Sequence, residues 1–162
     1  MRRNAALYAI LVGGSIAGAL DITYAIVFSA FRGVSPTRLL QSVASGLLGA
    51  AAFDGGPATA ALGLLLHFFI AFSVATVFYV ASRQLPFLTR HAVTSGVLYG
   101  VVVYAVMNLV VLPLSADPRK HAYPPLVLTT GLFVHMFFIG LPIALAARRA
   151  SAQASPATAG EL

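Results

Sequence analysis

Four stretches of this chain are long enough to cross a bilayer, and together they hold one charged residue. They run over 7–31, 58–82, 92–114 and 126–147. A hydrocarbon core of about 30 Å takes about 20 helical residues at 1.5 Å rise, so each stretch suffices. Of the chain's ten basic and four acidic residues, Asp21 alone lies inside a stretch. Within lipid only helices and closed barrels satisfy the backbone, and uninterrupted apolar runs of this length read as helices. The fold class that follows is an all-α membrane protein, a four-transmembrane-helix bundle. Composition closes off the alternatives. Charged residues make up 9% and hydrophobic ones 59%, against roughly 25% charged in soluble domains. A water-soluble enzyme and a disordered chain are excluded on that ground. The absence of cysteine removes a disulfide scaffold, a thiol nucleophile and a thiolate metal site.

The basic residues come in pairs at the ends of the apolar runs. With the N-terminus inside, Arg2, Arg3, Arg83, Arg90, Arg148 and Arg149 face the cytoplasm, against Arg32, Arg38, Arg119 and Lys120 on the other side. This bias places both termini in the cytoplasm. The net charge of +6 is thus accounted for by topology and lipid headgroups. No basic patch is interleaved with aromatics, so nucleic acid is not an expected partner. A cleaved leader competes for the start, with Arg2-Arg3 as its basic region and Ala17-Gly18-Ala19 as its cleavage site. Continuation of the apolar pattern past Asp21 favours an uncut helix. The polar connection from Arg83 to His91 is short and predicts that the second and third spans are antiparallel neighbours. Asp117-Pro118 and Pro124-Pro125 stop helices between the third and fourth.

A fifth segment, 36–53, opens with Ser35 as N-cap and Pro36 at the first helical position, and ends at Asp54-Gly55-Gly56-Pro57. It is too short and too polar to span and is read as an interfacial or re-entrant helix. The tail 151–162, rich in Ala, Ser, Thr, Gly and Pro, is expected to be disordered. Residues 1–150 therefore form a single transmembrane helical domain.

The polar residues within the spans carry any chemistry. A carboxylate at mid-helix costs about 2.5 to 3.5 kcal/mol on insertion scales, so Asp21 should face protein or water. It shares a helical face with Gly14, Ala17, Gly18 and Ala25, and Ser15 and Thr23 offer nearby hydroxyls. His67 shares a face with Ala60, Gly63 and Ala71, while Asn108 lies one turn after Tyr104 and His135 one turn after Gly131. Because the spans alternate in direction, Asp21, His67, Asn108 and His135 all fall on the non-cytoplasmic side of the midplane, within about 8 Å of it. Gly14, Gly18, Gly63, Gly96, Gly100 and Gly131 are the candidate helix-packing positions, two pairs of them in small-xxx-small spacing. Pro113 and Pro142 lie near helix ends, and Pro142 is placed to kink the fourth span. His91 and His121 sit beside basic residues at membrane edges and read as solvated.

Several readings of the cluster stay open. It is an inter-helix hydrogen-bond core, with Asp21 against a protonated histidine and Asn108 satisfying what remains. It is a proton or ion relay, since imidazole titrates near neutrality. It holds a transition metal or haem, although no HxxxH or HxxE spacing supports this; no metal or other cofactor is expected. Or it lines a site for lipid or a small molecule between helices. No GxSxG, HExxH or P-loop is present, so the chain reads as a non-enzyme. It is expected to be a helix-packing or interaction subunit, in a homo-oligomer or with a membrane-protein partner, the alternative being a proton-linked or small-solute conduit.

The half from Leu62 to Arg149 resembles the YagU-like group of small bacterial inner-membrane proteins. The likeness is carried by His67-Phe-Phe-Ile-Ala-Phe-Ser, Leu85-Pro-Phe-Leu, Met107-Asn108 before Leu112-Pro113-Leu114, and Phe133-Val-His135 followed by Arg148-Arg149. The resemblance implies an inner-membrane location and a helical bundle, and an acid-stress role suspected for the group would fit titratable histidines. It transfers no residue-level activity.

Overall fold

The computed structural model describes residues 2–118 and 124–154 of the chain. They form four long apolar helices packed as a bundle, with short helices between them. The first span is α1 (Arg2–Ala30). The short helix is α2 (Pro36–Leu48), followed by a 3-10 turn over Gly49–Phe53. The second span is α3 (Gly56–Gln84), and α4 (Phe87–Arg90) is a single turn in the connection that follows. The third span, Ala92–Leu114, comprises α5 (Ala92–Val106), a π-helical turn (Met107–Val111) and α6 (Leu112–Leu114). The fourth, Pro125–Gln153, comprises α7 (Pro125–Val134), a second π-helical segment (His135–Gly140) and most of α8 (Leu141–Ala154).

Three boundaries depart from the sequence reading. The helix expected over 36–53 is broken at Gly49, whose φ of +63° leaves the right-handed helical region and suits only glycine. The fourth span does not stop at 147. Helix α8 continues through Ser151–Ala154, the first residues of the expected tail. Alanine is the best helix former, and Ala150 is held by packing on Ala5 and Ala9 of α1. The rest of that tail lies outside the described residues, as do Arg119, Lys120 and His121. Finally, α1 begins earlier than 7, at Arg2.

The order of packing is α3 on α1, α1 on the fourth span, and the fourth span on α5. The second and third spans were expected as antiparallel neighbours, but α3 and α5 do not form one of these close interfaces. Side chains bridge them instead: Tyr99 Oη donates to the Val74 carbonyl at 2.8 Å, and the Tyr99 ring meets Phe78 edge-on at 4.9 Å. The bulk of these rings and the intervening turn α4, which packs on α8, let the two helices splay.

The end of the bundle that carries Arg83, Arg148 and Arg149 is packed solid. Its buried core is Ala17, Ala75, Ala92, Ala144 and Ala147, with Phe78 and Ile143 as its large side chains. Lipid tails are as apolar as leucine, so helices in a bilayer associate by close van der Waals contact, which small residues permit. The larger apolar side chains turn outward, where Leu65, Leu98 and Leu109 meet the bilayer.

Helix α2 packs at the opposite end, against α3. Ser35 Oγ accepts the Arg38 N–H at 3.2 Å as its N-cap. Gln41 Nε2 donates to the Gly56 carbonyl at 3.1 Å, and Thr59 Oγ1 donates to the Ala52 carbonyl at 2.6 Å. A side chain on Gly63 would collide with the Leu40 carbonyl, so that glycine seats α2 directly on α3. Gly63 lies about 10 Å along α3 from its midpoint at Ile70. The short helix therefore covers the end of the bundle without reaching its middle.

Candidate functional site

Between the solid half and α2 the bundle holds a cavity of about 530 Å³. The midpoints of the four spans fall at Ala17, Ile70, Val103 and Ile139, and all four residues line it. It therefore runs from the middle of the bundle toward the end opposite Arg83, Arg148 and Arg149. Leu39, Val43 and Gly46 of α2 close it there, together with Ser115 and Asp117 after α6. The loop is tied to α2 by the Ala116 N–H, which donates to the Gly46 carbonyl at 2.9 Å.

Asp21, His67, Asn108 and His135 all line this cavity. Each sits three to five residues from its span's midpoint and on the same side of it, which is about 5 to 8 Å. They come from four different spans, so their meeting is a product of the tertiary fold.

The closest pair is His67 Nδ1 and Asp21 Oδ2, at 3.9 Å. The other ring nitrogen of His67, Nε2, donates to the Gly18 carbonyl across the α1–α3 interface at 2.9 Å. That bond sets the protonation pattern. With Nε2–H committed, a neutral His67 presents an Nδ1 lone pair to the carboxyl group. The arrangement is favourable when one proton is held between them, either as imidazolium and carboxylate or as imidazole and carboxylic acid. Without that proton, a lone pair faces a carboxylate unless a donor or cation lies beside them. At 3.9 Å the contact is too long for a direct hydrogen bond, so a shared donor or cation would bridge the two groups from the cavity side.

His135 heads the second π-helical segment. Its Nδ1–H donates to the Gly131 carbonyl at 2.9 Å, leaving Nε2 for the cavity, and the Tyr104 ring packs on it edge-on at 5.2 Å. Asp21 interacts electrostatically with both histidines. Asn108 is different. It was expected to satisfy the remaining polar groups, but its Nδ2 donates to the Tyr104 carbonyl of its own helix at 2.8 Å, so it lines the site without joining the pair. Ser15 and Thr23, offered as nearby hydroxyls, are exposed on the far faces of α1.

The glycines position these groups. Gly18 receives the Phe68 ring and Gly14 the Phe72 ring, with the α3 backbone close behind. A side chain on Gly100 would strike the His135 carbonyl, and one on Gly96 would come within 2.9 Å of the Gly140 carbonyl. Gly131 faces the Tyr104 ring at 3.2 Å. Gly140 and Gly13, not singled out from the sequence, complete the α5 and α1 contacts with the fourth span.

Sequence reasoning also missed the two π-helical segments. Asn108 lies in one and His135 starts the other. Each precedes a proline, Pro113 or Pro142, whose missing N–H and bulky ring break the regular bond to the residue four before it. The widened turn absorbs that break, and such turns recur at functional sites. Among the described residues no group of three His, Cys, Asp or Glu stands in a metal-holding arrangement. No protein-family model, curated protein or solved structure matches the chain.

Proposed function

We propose that this is a bacterial inner-membrane protein, with both termini in the cytoplasm, that binds a small solute in its cavity and couples binding to a proton on the Asp21–His67 pair. His135 is the second station of the relay. The orientation rests on the Lys/Arg bias, and the location on the likeness to the YagU-like group. The observation that carries the function is the convergence of the polar residues of four spans on one cavity of about 530 Å³, within the 300 to 1,000 Å³ typical of small-molecule sites. In this reading the protein is not an enzyme.

The reading as a packing or interaction subunit accounts for less. The six glycines that would give a partner a close-packing face are turned inward: Gly14 and Gly18 to α3, Gly63 to α2, Gly96 and Gly100 to the fourth span, and Gly131 to Tyr104. The cavity has no role in it.

The test is proton flux into liposomes carrying the purified protein, followed with an entrapped pH dye after an acid step. Wild type is expected to conduct, and Asp21→Asn to lose at least about tenfold, the loss expected of an essential proton carrier. No flux in either protein, or equal flux in both, rejects the proton-linked reading.

A further inference from the structure

We infer that the occupant of the cavity is a lipophilic cation, an amine or quaternary ammonium with apolar substituents, which takes the place of the proton on the Asp21–His67 pair. This rests on the solute-binding reading above and narrows its substrate class.

Charge is the first argument. The chain carries a net charge of +6, yet no Lys or Arg among the described residues lines the cavity. Two of the four acidic residues do, Asp21 near its deep end and Asp117 at its α2 end. Among the described residues the fixed charges along the cavity are acidic, which selects against anions. Like charges repel strongly where water is scarce, and a buried carboxylate needs a cationic or donating partner.

Apolar character is the second. Most of the remaining lining is aliphatic, with Ile22, Leu39, Leu66, Ile70, Val103 and Met107 on its several sides. A small hydrated ion would gain nothing from these walls and would lose its water. A cation wrapped in apolar groups satisfies walls and carboxylate together.

The route is the third. Phe69 and Leu47 line the cavity and are also 68% and 61% exposed. Phe69 is one residue from the midpoint of α3, so its exposed surface faces acyl chains. The cavity thus meets the lipid where α3 and the third span diverge, beyond the Tyr99–Val74 bridge. A solute that partitions into the bilayer reaches Asp21 by this gap.

The exchange balances. One monocation enters, one proton leaves Asp21–His67, and the charge of the site is unchanged. The titratable groups around Asp21 are His67 of α3 and His135 of the fourth span, with Asp117 of the loop after α6 at the other end of the cavity. The Tyr99 and Tyr104 hydroxyls are engaged by the Val74 and Leu128 carbonyls.

Two ions of the same shape and opposite charge make the test: tetraphenylphosphonium and tetraphenylborate, added to the full chain in phosphatidylcholine nanodiscs. Wild type is expected to bind the phosphonium saturably and the borate only by partitioning into lipid. Phosphonium binding should tighten as pH rises, toward a limit of about tenfold per pH unit for one-for-one exchange. Asp21→Asn should weaken it at least tenfold. Equal saturable binding of both ions, no saturable phosphonium binding, or unchanged binding in Asp21→Asn overturns the assignment, and the wild-type comparison of the two ions stands without any variant. Asp21-dependent proton flux without phosphonium binding removes the cation and leaves the proton-linked reading. Phosphonium binding without flux does the reverse.

Discussion

The two halves of this bundle solve the same packing problem differently. In the half that carries Arg83, Arg148 and Arg149, Ala75, Ala92, Ala144 and Ala147 bring the helices together with almost no exposed surface. In the other half the same four spans part around a cavity and line it with the chain's intramembrane carboxylate and both intramembrane histidines. Close contact is the default for membrane helices carrying small residues, so an open half needs structural support. The widened turns before Pro113 and Pro142 and the polar bonds that fix α2 supply it. The solid half holds the frame, and the open half can then carry polar groups without a compensating core.

The largest effect should come where the halves join. Gly100 lies directly on the His135 backbone. A methyl group there has no flexible neighbour to displace, so Gly100→Ala should cost about 3 kcal/mol or more, at or above the usual overpacking range. Gly131→Ala is the contrast. Its new methyl meets only the Tyr104 ring, at 3.2 Å, and alanine gains up to about 1 kcal/mol of helix propensity over glycine. Its stability should stay within about 0.5 kcal/mol of wild type. Equilibrium unfolding in mixed micelles measures both. Equal losses at the two sites would deny that the third and fourth spans meet backbone to backbone.

The next effect separates the halves on one helix. Ala9 is buried in the solid half against Ala5 and Ala150, whereas Ala25 lines the cavity. Ala9→Leu should cost about 1 to 3 kcal/mol by overpacking. Ala25→Leu should cost less than about 1 kcal/mol, because its side chain grows into open space, the usual scale for a change away from tight packing. Only Ala25→Leu should reduce binding in the cavity. The reverse order would mean that the space beside Ala25 is not open.

Much of this division was legible in the residues. Apolar length marks the four spans, and Asp21 stands out because no other charge enters them. The helical spacing of Gly14, Ala17, Gly18 and Asp21 identifies the buried face of α1. Depth counting brings Asp21, His67, Asn108 and His135 to one level because rise per residue is constant in any helix. Lateral arrangement has no such rule. The divergence of α3 from α5 depends on the rings of Tyr99 and Phe78, and the partner of Asn108 depends on which way its side chain turns. The π-helical turns were signalled by Pro113 and Pro142, but a proline locates a break without telling how the backbone absorbs it. Asp117 reads as a loop residue, and only the folding of α2 over the bundle brings it to the cavity.

The smallest effect tests the bridge between the two spans that part. Tyr99→Phe removes the 2.8 Å hydrogen bond to the Val74 carbonyl and keeps the ring that packs on Phe78. The Val74 carbonyl retains its own helical partner within α3, so no acceptor is left wholly unpaired and the heavier cost of an orphaned group does not apply. Hydrogen bonds between membrane helices average about 0.6 kcal/mol, with a maximum near 1.7, and the loss should fall at the lower end of that range. Unfolding of Tyr99→Phe beside wild type in the same micelles measures it. A cost above about 2 kcal/mol would mean that one hydroxyl holds the separation of α3 and α5. A cost near 0.6 means that the separation is held by the interfaces on either side, α3 on α1 and α5 on the fourth span. The cavity then belongs to the framework of the bundle and does not depend on a single strut.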